Sequence, residues 1–473
     1  MNKNIVAKTD SYKLGHWNML PAGTETIYSY FESRKGAKFN KTVFFGLQFL
    51  LKEYLAGVVV TQEKIDRAAE LCREHFGTDA IFNRKGWEYI LNTHGGKLPL
   101  RIKAVPEGTP VTVNNVLMTV ENTDPKCAWL TNYVETVLTH VWYSSTVASL
   151  SRATKEMLNG FLARTSDNPG AVNFMLHDFG YRGATGDEAA GIGGAAHIIN
   201  FLGTDTVVGM DFAVEYYGAS YKGLAYSVAA TEHSIMTARG PDGEGEVLGE
   251  LLDKYPTGIL ATVADSYDIY NYVENLVCKR FKDRILARDG VLVVRPDSIS
   301  PLHPTPESET LWIVQTLANN LGYTTNSKGF MVLNPKVRVL WGDGIDKDGI
   351  EKILTTLEVA GFSAENMVFG MGGGLLQKVN RDTQRFAFKC SAALRNGVWH
   401  DIYKLPKDLS KASKRGRLAL VRTNDGSPDG GWATVSEAVA NKNPGSNKLI
   451  TVFENGDIVK EYTFNEVREN AKL

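Results

Sequence analysis

The sequence predicts an α/β protein: a βα-barrel domain joined to a discontinuous, mainly antiparallel α+β domain. Three observations carry this. Short apolar, β-rich runs recur through the middle of the chain, most of them ending in polar clusters. Stretches with helical spacing lie between several of them. Alternating, turn-punctuated segments occur before residue 150 and again after residue 390.

The runs and clusters of the middle are Phe174-Met-Leu-His177-Asp178, Gly203-Thr-Asp205-Thr-Val-Val208, Ala225-Tyr-Ser-Val228, the run 259–265, Val291-Leu-Val-Val-Arg295-Pro-Asp297, the run 337–344 and the run 367–374. Successive clusters are about one strand–helix unit apart. Such runs suit strands buried on both faces. Polar groups at the ends of those strands gather on one face, where ligands bind. Residues 346–360 carry Ile350, Ile353, Leu354 and Leu357 as an amphipathic stripe, and 267–281 and 307–321 read alike. Residues 185–200 are rich in Gly and Ala, which implies close backbone packing against a sheet or ligand, with a loop left open.

Before residue 150, residues 42–55 read as helix, and Leu100-Arg-Ile-Lys-Ala104 alternates as a half-exposed strand. Residues 111–113 and 116–120 continue an antiparallel sheet. Residues 126–160 turn helical, with Trp129, Tyr133, Val137 and Val141 on one face. Near the end, Asn455-Gly456 between two β-rich runs is a strong hairpin signal. The expected division is 1–150 with 390–473 as the discontinuous domain, and 151–389 as the barrel.

Composition narrows the function. The chain has 473 residues and a formal net charge of −1, so a dedicated nucleic-acid binder is not expected. Its four cysteines, Cys72, Cys127, Cys278 and Cys390, form no C-x-x-C pair, and neither a zinc site nor a disulfide framework is suggested. No apolar stretch suits a signal peptide or a membrane span. A cytoplasmic enzyme with no membrane partner is the expectation.

Several clusters can carry chemistry. Gly370-Met-Gly-Gly-Gly374 follows a strand and precedes a helix, so its backbone N–H groups could cradle phosphate; a plain glycine turn is equally open. It is neither a Walker A loop nor a full G-x-G-x-x-G, so ATP is not assignable by motif. Arg295-Pro-Asp297 offers a cation for phosphate and a carboxylate for ribose or Mg²⁺, or a structural ion pair. Gly342-Asp343-Gly344 offers a carboxylate that a ligand can approach closely, or a tight turn. Glu232-His233 sets a carboxylate beside an imidazole without the zinc-protease spacing. His177-Asp-Phe179-Gly-Tyr-Arg182 holds an aromatic that could stack on a heterocycle, or pack in a core. Residues 404–417 form a basic stretch, a solvated loop or a phosphate grip.

In order, these clusters resemble the nicotinamide phosphoribosyltransferase family. Further landmarks are Thr9-Asp-Ser-Tyr-Lys13, Tyr28-Ser-Tyr-Phe-Glu-Ser-Arg34, Asp265-Ser-Tyr-Asp-Ile-Tyr-Asn271, Gly372-Gly-Gly-Leu-Leu-Gln-Lys378 and Lys414-Arg-Gly-Arg-Leu418, and the match covers essentially the whole chain. The resemblance implies a type II phosphoribosyltransferase-like fold. It implies transfer of the phosphoribosyl group from phosphoribosyl pyrophosphate to nicotinamide in NAD salvage, with Mg²⁺, and ATP hydrolysis coupled through a phosphohistidine. It implies a homodimer with active sites at the subunit interface. Nicotinate is the alternative base.

Carried over by position, Phe179 stacks on the pyridine ring, Tyr12 of a second subunit covers its other face, and Asp205 accepts from the carboxamide. Arg182 and Arg295 line the nucleotide site, and Asp10 is placed with the substrate-binding residues. Asp297, Gly342 and Asp343 hold ribose; Gly372 and Gly373 meet the 5′-phosphate. Arg34, Arg381, Lys389, Lys404 and Lys414 grip phosphates. His233 takes the phosphoryl group, with Glu232 and Asp265 beside it to orient it or its metal. The chain departs from the family at Ile299, where Gly is usual, which bears on the ribose loop. It also departs at Met371, expected to narrow the phosphate loop.

Overall fold

The computed structural model describes residues 4–405, 413–424 and 431–472. They form two units, one of Met1–Ser149, Ala213–Ala219 and Asn380–Lys472, the other of Leu150–Phe212 and Ser220–Val379. The division falls inside the long helix Val141–Thr165.

The first unit is built on a seven-stranded sheet in the order Val398–Asp401, Ala387–Arg395, Thr24–Glu32, Val116–Asn122, Leu100–Ala104, Ile450–Glu454 and Asp457–Ile458. Every neighbouring pair is antiparallel. Central Val116–Asn122 is buried throughout, whereas Leu100–Ala104 alternates buried and half-buried as its sequence does. The Asn455-Gly456 turn takes positive φ at both residues, 51° and 89°, as a two-residue hairpin loop requires.

Three local expectations change in this unit. Residues 42–55 are not one helix: Lys41–Val43 is a strand paired with Pro110–Thr112, followed by a helical turn Leu47–Leu50 and a wider turn Leu51–Leu55. A long-range partner captured the β-branched Thr42 and Val43. Residues 380–389, expected in the barrel, belong here instead. Gln384 bonds Phe39, Lys41 and Thr42, and the strand from Ala387 pairs with Thr24–Glu32. Ala213–Ala219 also joins this unit. Tyr216 O accepts from Gln48 and Lys52, and Tyr217 OH donates to the buried Glu107 at 2.7 Å.

The second unit is a parallel sheet in the order Gly203–Thr204, Leu176–Asp178, Met367–Met371, Val337–Trp341, Asp289–Arg295, Thr257–Val263 and Ala229–Ala230. Four of its strands lie within the apolar runs read from sequence, Thr257–Val263 and Asp289–Arg295 each begin two residues before theirs, and Ala229–Ala230 begins just after the run 225–228. A parallel bridge between Gly203 and Tyr226 ties the two edge regions, closing the sheet towards a barrel. The helices Lys347–Val359 and Pro306–Leu321 cover it, burying Ile350, Ile353, Leu354, Leu357, Ile313 and Leu317. Asp346 and Thr305 cap their N-termini.

The small-residue segment is the helix Asp187–Ile198. A Cβ on Gly209 would stand 2.7 Å from the backbone of Gly194, so only glycine permits this backbone approach. The four cysteines are free. Among the described residues, no helix is long and apolar enough to cross a membrane.

Candidate active site

The parallel strands end in a cluster of polar loops. Two adjoining cavities share Phe179, Asp205, Ala230 and Arg295: one of about 780 Å³ and one of about 360 Å³. The larger is also lined by Arg182, Thr206, Glu232, His233 and Asp297. The smaller is apolar, walled by Ile259, Val293, Leu340 and Val368, with His177 on its lining.

Phe179 leaves the strand Leu176–Asp178, its N–H bonded to Met371 O at 3.0 Å. Its ring occupies the space a side chain on Gly370 would need: a Cβ there would lie 2.0 Å from Phe179 Cε2. Gly342 and Gly372 border the same residue, at 3.4 and 3.2 Å for their would-be Cβ atoms. Gly370, read from sequence as part of a phosphate cradle, is therefore a strand residue that makes room for an aromatic plate. Gly372 precedes a helix of only four residues, Gly373–Leu376, too short to add much dipole. Met371 does not narrow the loop from outside; it is fully buried, and its Cγ sits 3.1 Å from where a Gly374 Cβ would be.

Asp205 follows the strand Gly203–Thr204, anchored by its N–H to Asp178 O at 2.9 Å. Its exposed carboxylate accepts from Ser227 Oγ at 2.5 Å. Beneath it, burial raises the Asp178 carboxyl to about 6, against hydrogen bonds from Gly180 and Thr206. His177 is nine-tenths buried, and that burial lowers its pKa, favouring the neutral ring.

His233 opens a short helix, half-exposed, between two carboxylates. Its Nε2 faces Asp265 Oδ1 at 3.3 Å, and its Nδ1 lies 3.9 Å from Asp297 Oδ2. The second oxygen of Asp265 accepts from Ser298 Oγ at 2.5 Å. Glu232 Oε1 is taken by Ser234 Oγ. Arg295 donates to Thr231 O at 3.2 Å, while its buried Nε has no partner among the described residues. Asp343 is raised by burial and then by Asp297 and Asp265. A carboxylate raised by acidic neighbours favours a cation or proton beside it, and hard carboxylate oxygens suit Mg²⁺.

The seven side chains Phe179, Arg182, Asp205, Glu232, His233, Arg295 and Asp297 thus share one cavity, and Asp265 and Asp343 are coupled to it electrostatically. Sequence reading assigns no role to two participants. Ser227 lies within the cluster 225–228 but is given no part there, and it meets Asp205 through the bridge between Gly203 and Tyr226. Glu244, in the first turn of Glu244–Lys254, is buried with Oε1 unpartnered; burial, then Asp265 and Asp268, raise it to about 7.

The remaining site residues belong to the antiparallel unit. Asp10 accepts from Thr136 Oγ1 at 2.7 Å, and Tyr12 is 60% exposed. Buried Glu32 pairs with Lys414 and with Lys389 at 3.7 Å. Arg34 Nε donates to Arg385 O at 2.8 Å. Arg381 and Lys404 are exposed, and much of the basic stretch after Lys404 lies outside the described residues.

The profile of the nicotinate phosphoribosyltransferase (NAPRTase) family matches residues 174–457, and that of the nicotinamide phosphoribosyltransferase N-terminal domain matches 4–102. A nicotinamide phosphoribosyltransferase of Xanthomonas campestris pv. campestris is 43% identical, covering 99% of this chain and 98% of that protein. One of Acinetobacter baylyi is 34% identical over 98% and 96%. The crystal structure of nicotinate-nucleotide pyrophosphorylase from Pyrococcus furiosus matches 100% of this chain and 95% of its own with a TM-score of 0.62 at 17% identity, a likeness of fold.

Proposed function

Because the chain belongs to the nicotinamide phosphoribosyltransferase family and has the type II phosphoribosyltransferase fold, we propose that it converts nicotinamide and phosphoribosyl pyrophosphate to nicotinamide mononucleotide and pyrophosphate. The observation that carries this reading is Phe179 lying over Gly370 with Asp205 on the same cavity wall. A planar base can stack on the ring while its amide donates to the carboxylate.

In the reaction, the pyridine nitrogen attacks the anomeric carbon as the bond to pyrophosphate oxygen breaks. The ribose develops oxocarbenium character and the leaving group carries high negative charge. Asp297 and Asp343 hold ribose hydroxyls. Arg182 and Arg295 stabilise phosphate charge, and Phe179 aligns the base. Mg²⁺ held by one or two of the carboxylates Asp265, Asp297 and Asp343, with the substrate's own oxygens, would neutralise pyrophosphate charge. Arg34, Arg381, Lys389, Lys404 and Lys414 supply further phosphate contacts. Tyr12 and Asp10 approach the base from a second copy of the chain in a homodimer.

Coupling to ATP runs through His233. In the tautomer that donates Nε2–H to Asp265 Oδ1, the Nδ1 lone pair is available. Nδ1 forms a bond to the terminal phosphorus of ATP as the bond to ADP breaks, and water later releases the group as inorganic phosphate. Asp205 favours the amide twice over: a charge-assisted bond contributes about 1.5–3 kcal/mol, and a carboxylate base is repelled.

The test is incubation with phosphoribosyl pyrophosphate, Mg²⁺ and either base, with and without ATP. Nicotinamide mononucleotide formation, stimulated by ATP, is expected. Equal use of nicotinate overturns the role of Asp205. His233→Ala is expected to retain slow transfer without ATP stimulation; a variant still stimulated removes His233 from the coupling.

A further inference from the structure

Asp297 and Ser298 are neighbours on the segment leaving the strand Asp289–Arg295, and they touch opposite sides of the His233–Asp265 pair. Asp297 Oδ2 stands 3.9 Å from His233 Nδ1. Ser298 Oγ donates to Asp265 Oδ2 at 2.5 Å, and Asp265 Oδ1 in turn faces His233 Nε2 at 3.3 Å. Two residues on, the segment is pinned again. Ser300 donates to buried Glu309 through both N–H and Oγ, and Tyr270 OH lies 2.6 Å from Ser300 Oγ. Ile299, the departure from the family pattern, is exposed between these two anchors and so costs the segment none of its ties.

Resting on the reading of His233 as the phosphoryl acceptor, we propose that Ser298 is a positioning residue that couples the phosphorylation state of His233 to the placement of Asp297. A hydroxyl on one carboxylate oxygen fixes the rotation of Asp265, so its other oxygen is presented to the imidazole edge. A phosphoryl group on Nδ1 brings a charge of about −1.5 to −2 towards Asp297. That repulsion must be relieved somewhere. Ser298 ties the next residue to Asp265, so the whole segment cannot drift away. Relief falls on Asp297 itself, the ribose-holding carboxylate, or on a cation drawn between the two groups. Phosphorylation is thereby felt at the sugar. Without the hydroxyl, Asp265 and the segment move independently, and His233 can be phosphorylated and hydrolysed without assisting transfer.

The experiment compares the full chain with Ser298→Ala and Ser298→Thr, reading ATP hydrolysed per mononucleotide formed, acid-labile phosphohistidine, and KM for nicotinamide. Ser298→Ala is expected to phosphorylate His233 yet consume about fivefold more ATP per product, the effect of one lost hydrogen bond, with KM for nicotinamide little changed. Ser298→Thr, which keeps the hydroxyl at an exposed position, restores the ratio. A wild-type ratio in Ser298→Ala, loss of phosphorylation in it, or no rescue by Thr overturns the proposal. A wild-type enzyme that neither hydrolyses ATP nor gains rate from it overturns the phosphohistidine reading instead.

Discussion

Two charge clusters, one in each unit, behave in opposite ways. In the antiparallel unit, Arg417 contacts Glu121 and Glu437 at 2.6 Å each and lies over the rings of Tyr28 and Trp399. Arg101 and Lys103 extend the network to Glu454 and Glu437. Burial works against the Arg417 charge, yet its two glutamates hold it well above its usual range. In the barrel unit, Asp343 is raised by burial and by its acidic neighbours, and Glu244 likewise. Matched charges mark a scaffold. A carboxylate raised by acidic neighbours marks a place where a ligand or cation completes the balance.

Paired substitutions break or sharpen that contrast. Asp343→Ala is expected to lower kcat/KM about 10²–10³-fold, the scale of losing a positioned polar group. Its thermal midpoint should hold or rise, because repulsion is removed. Glu121→Ala should do the reverse. It strips Arg417 of a buried partner and lowers unfolding stability on the order of 2–4 kcal/mol, with turnover per folded molecule kept. If Asp343→Ala unfolds the protein while Glu121→Ala abolishes turnover, the assignment of roles is backwards.

How far the sequence reaches follows the same line. Runs such as 291–295 and 337–341 announced their strands because burial on both faces leaves a continuous apolar signature. Polar groups at their ends were legible as a cluster because parallel strands deliver them to one face. Residues 42–43 were misread because their strand exists only through Pro110–Thr112, far along the chain. Ser227, though inside the named cluster 225–228, and Glu244 were given no role because nothing local points to one; each acts through a residue about twenty positions away. Gly370 shows the finer limit, since glycine looks the same whether it frees a backbone N–H or vacates space. Gly370→Ala tests the second reason: its methyl would displace Phe179 and raise KM for the base about tenfold. An unchanged KM would mean the ring is not the stacking surface.

Glu244 sharpens the comparison through pH. Its folded value of about 7 lies above the ordinary 4.5. Between those values the folded chain keeps a proton that the unfolded chain has lost. This group's contribution to stability is therefore best below the window and declines as pH rises through it. Glu244→Gln removes that slope. Relative to wild type, the variant should gain on the order of 1–2 kcal/mol between pH 4.5 and 7.5. Thermal midpoints across that range are the measurement, and a constant difference between the two proteins rejects a raised Glu244.

The smallest expected effect concerns Ser227. Arg417 in the antiparallel unit is fixed by opposite charges, which use its own up. Asp205 is fixed by a neutral hydroxyl, Ser227 Oγ at 2.5 Å, which orients one oxygen and leaves the negative charge for the ligand. A lysine or arginine there would steady the carboxylate equally well but would cancel its preference for an amide over an acid. Ser227→Ala is expected to leave kcat nearly unchanged and to raise KM for nicotinamide about three- to fivefold, within the range of a single hydrogen bond. Selectivity against nicotinate should fall by the same factor, because the freed carboxylate samples rotamers that face neither base squarely. Parallel assays with the two bases read this directly. A kcat loss at constant KM would instead place Ser227 in the chemical step, and the distinction between holding a charge and neutralising it would no longer explain this wall of the cavity.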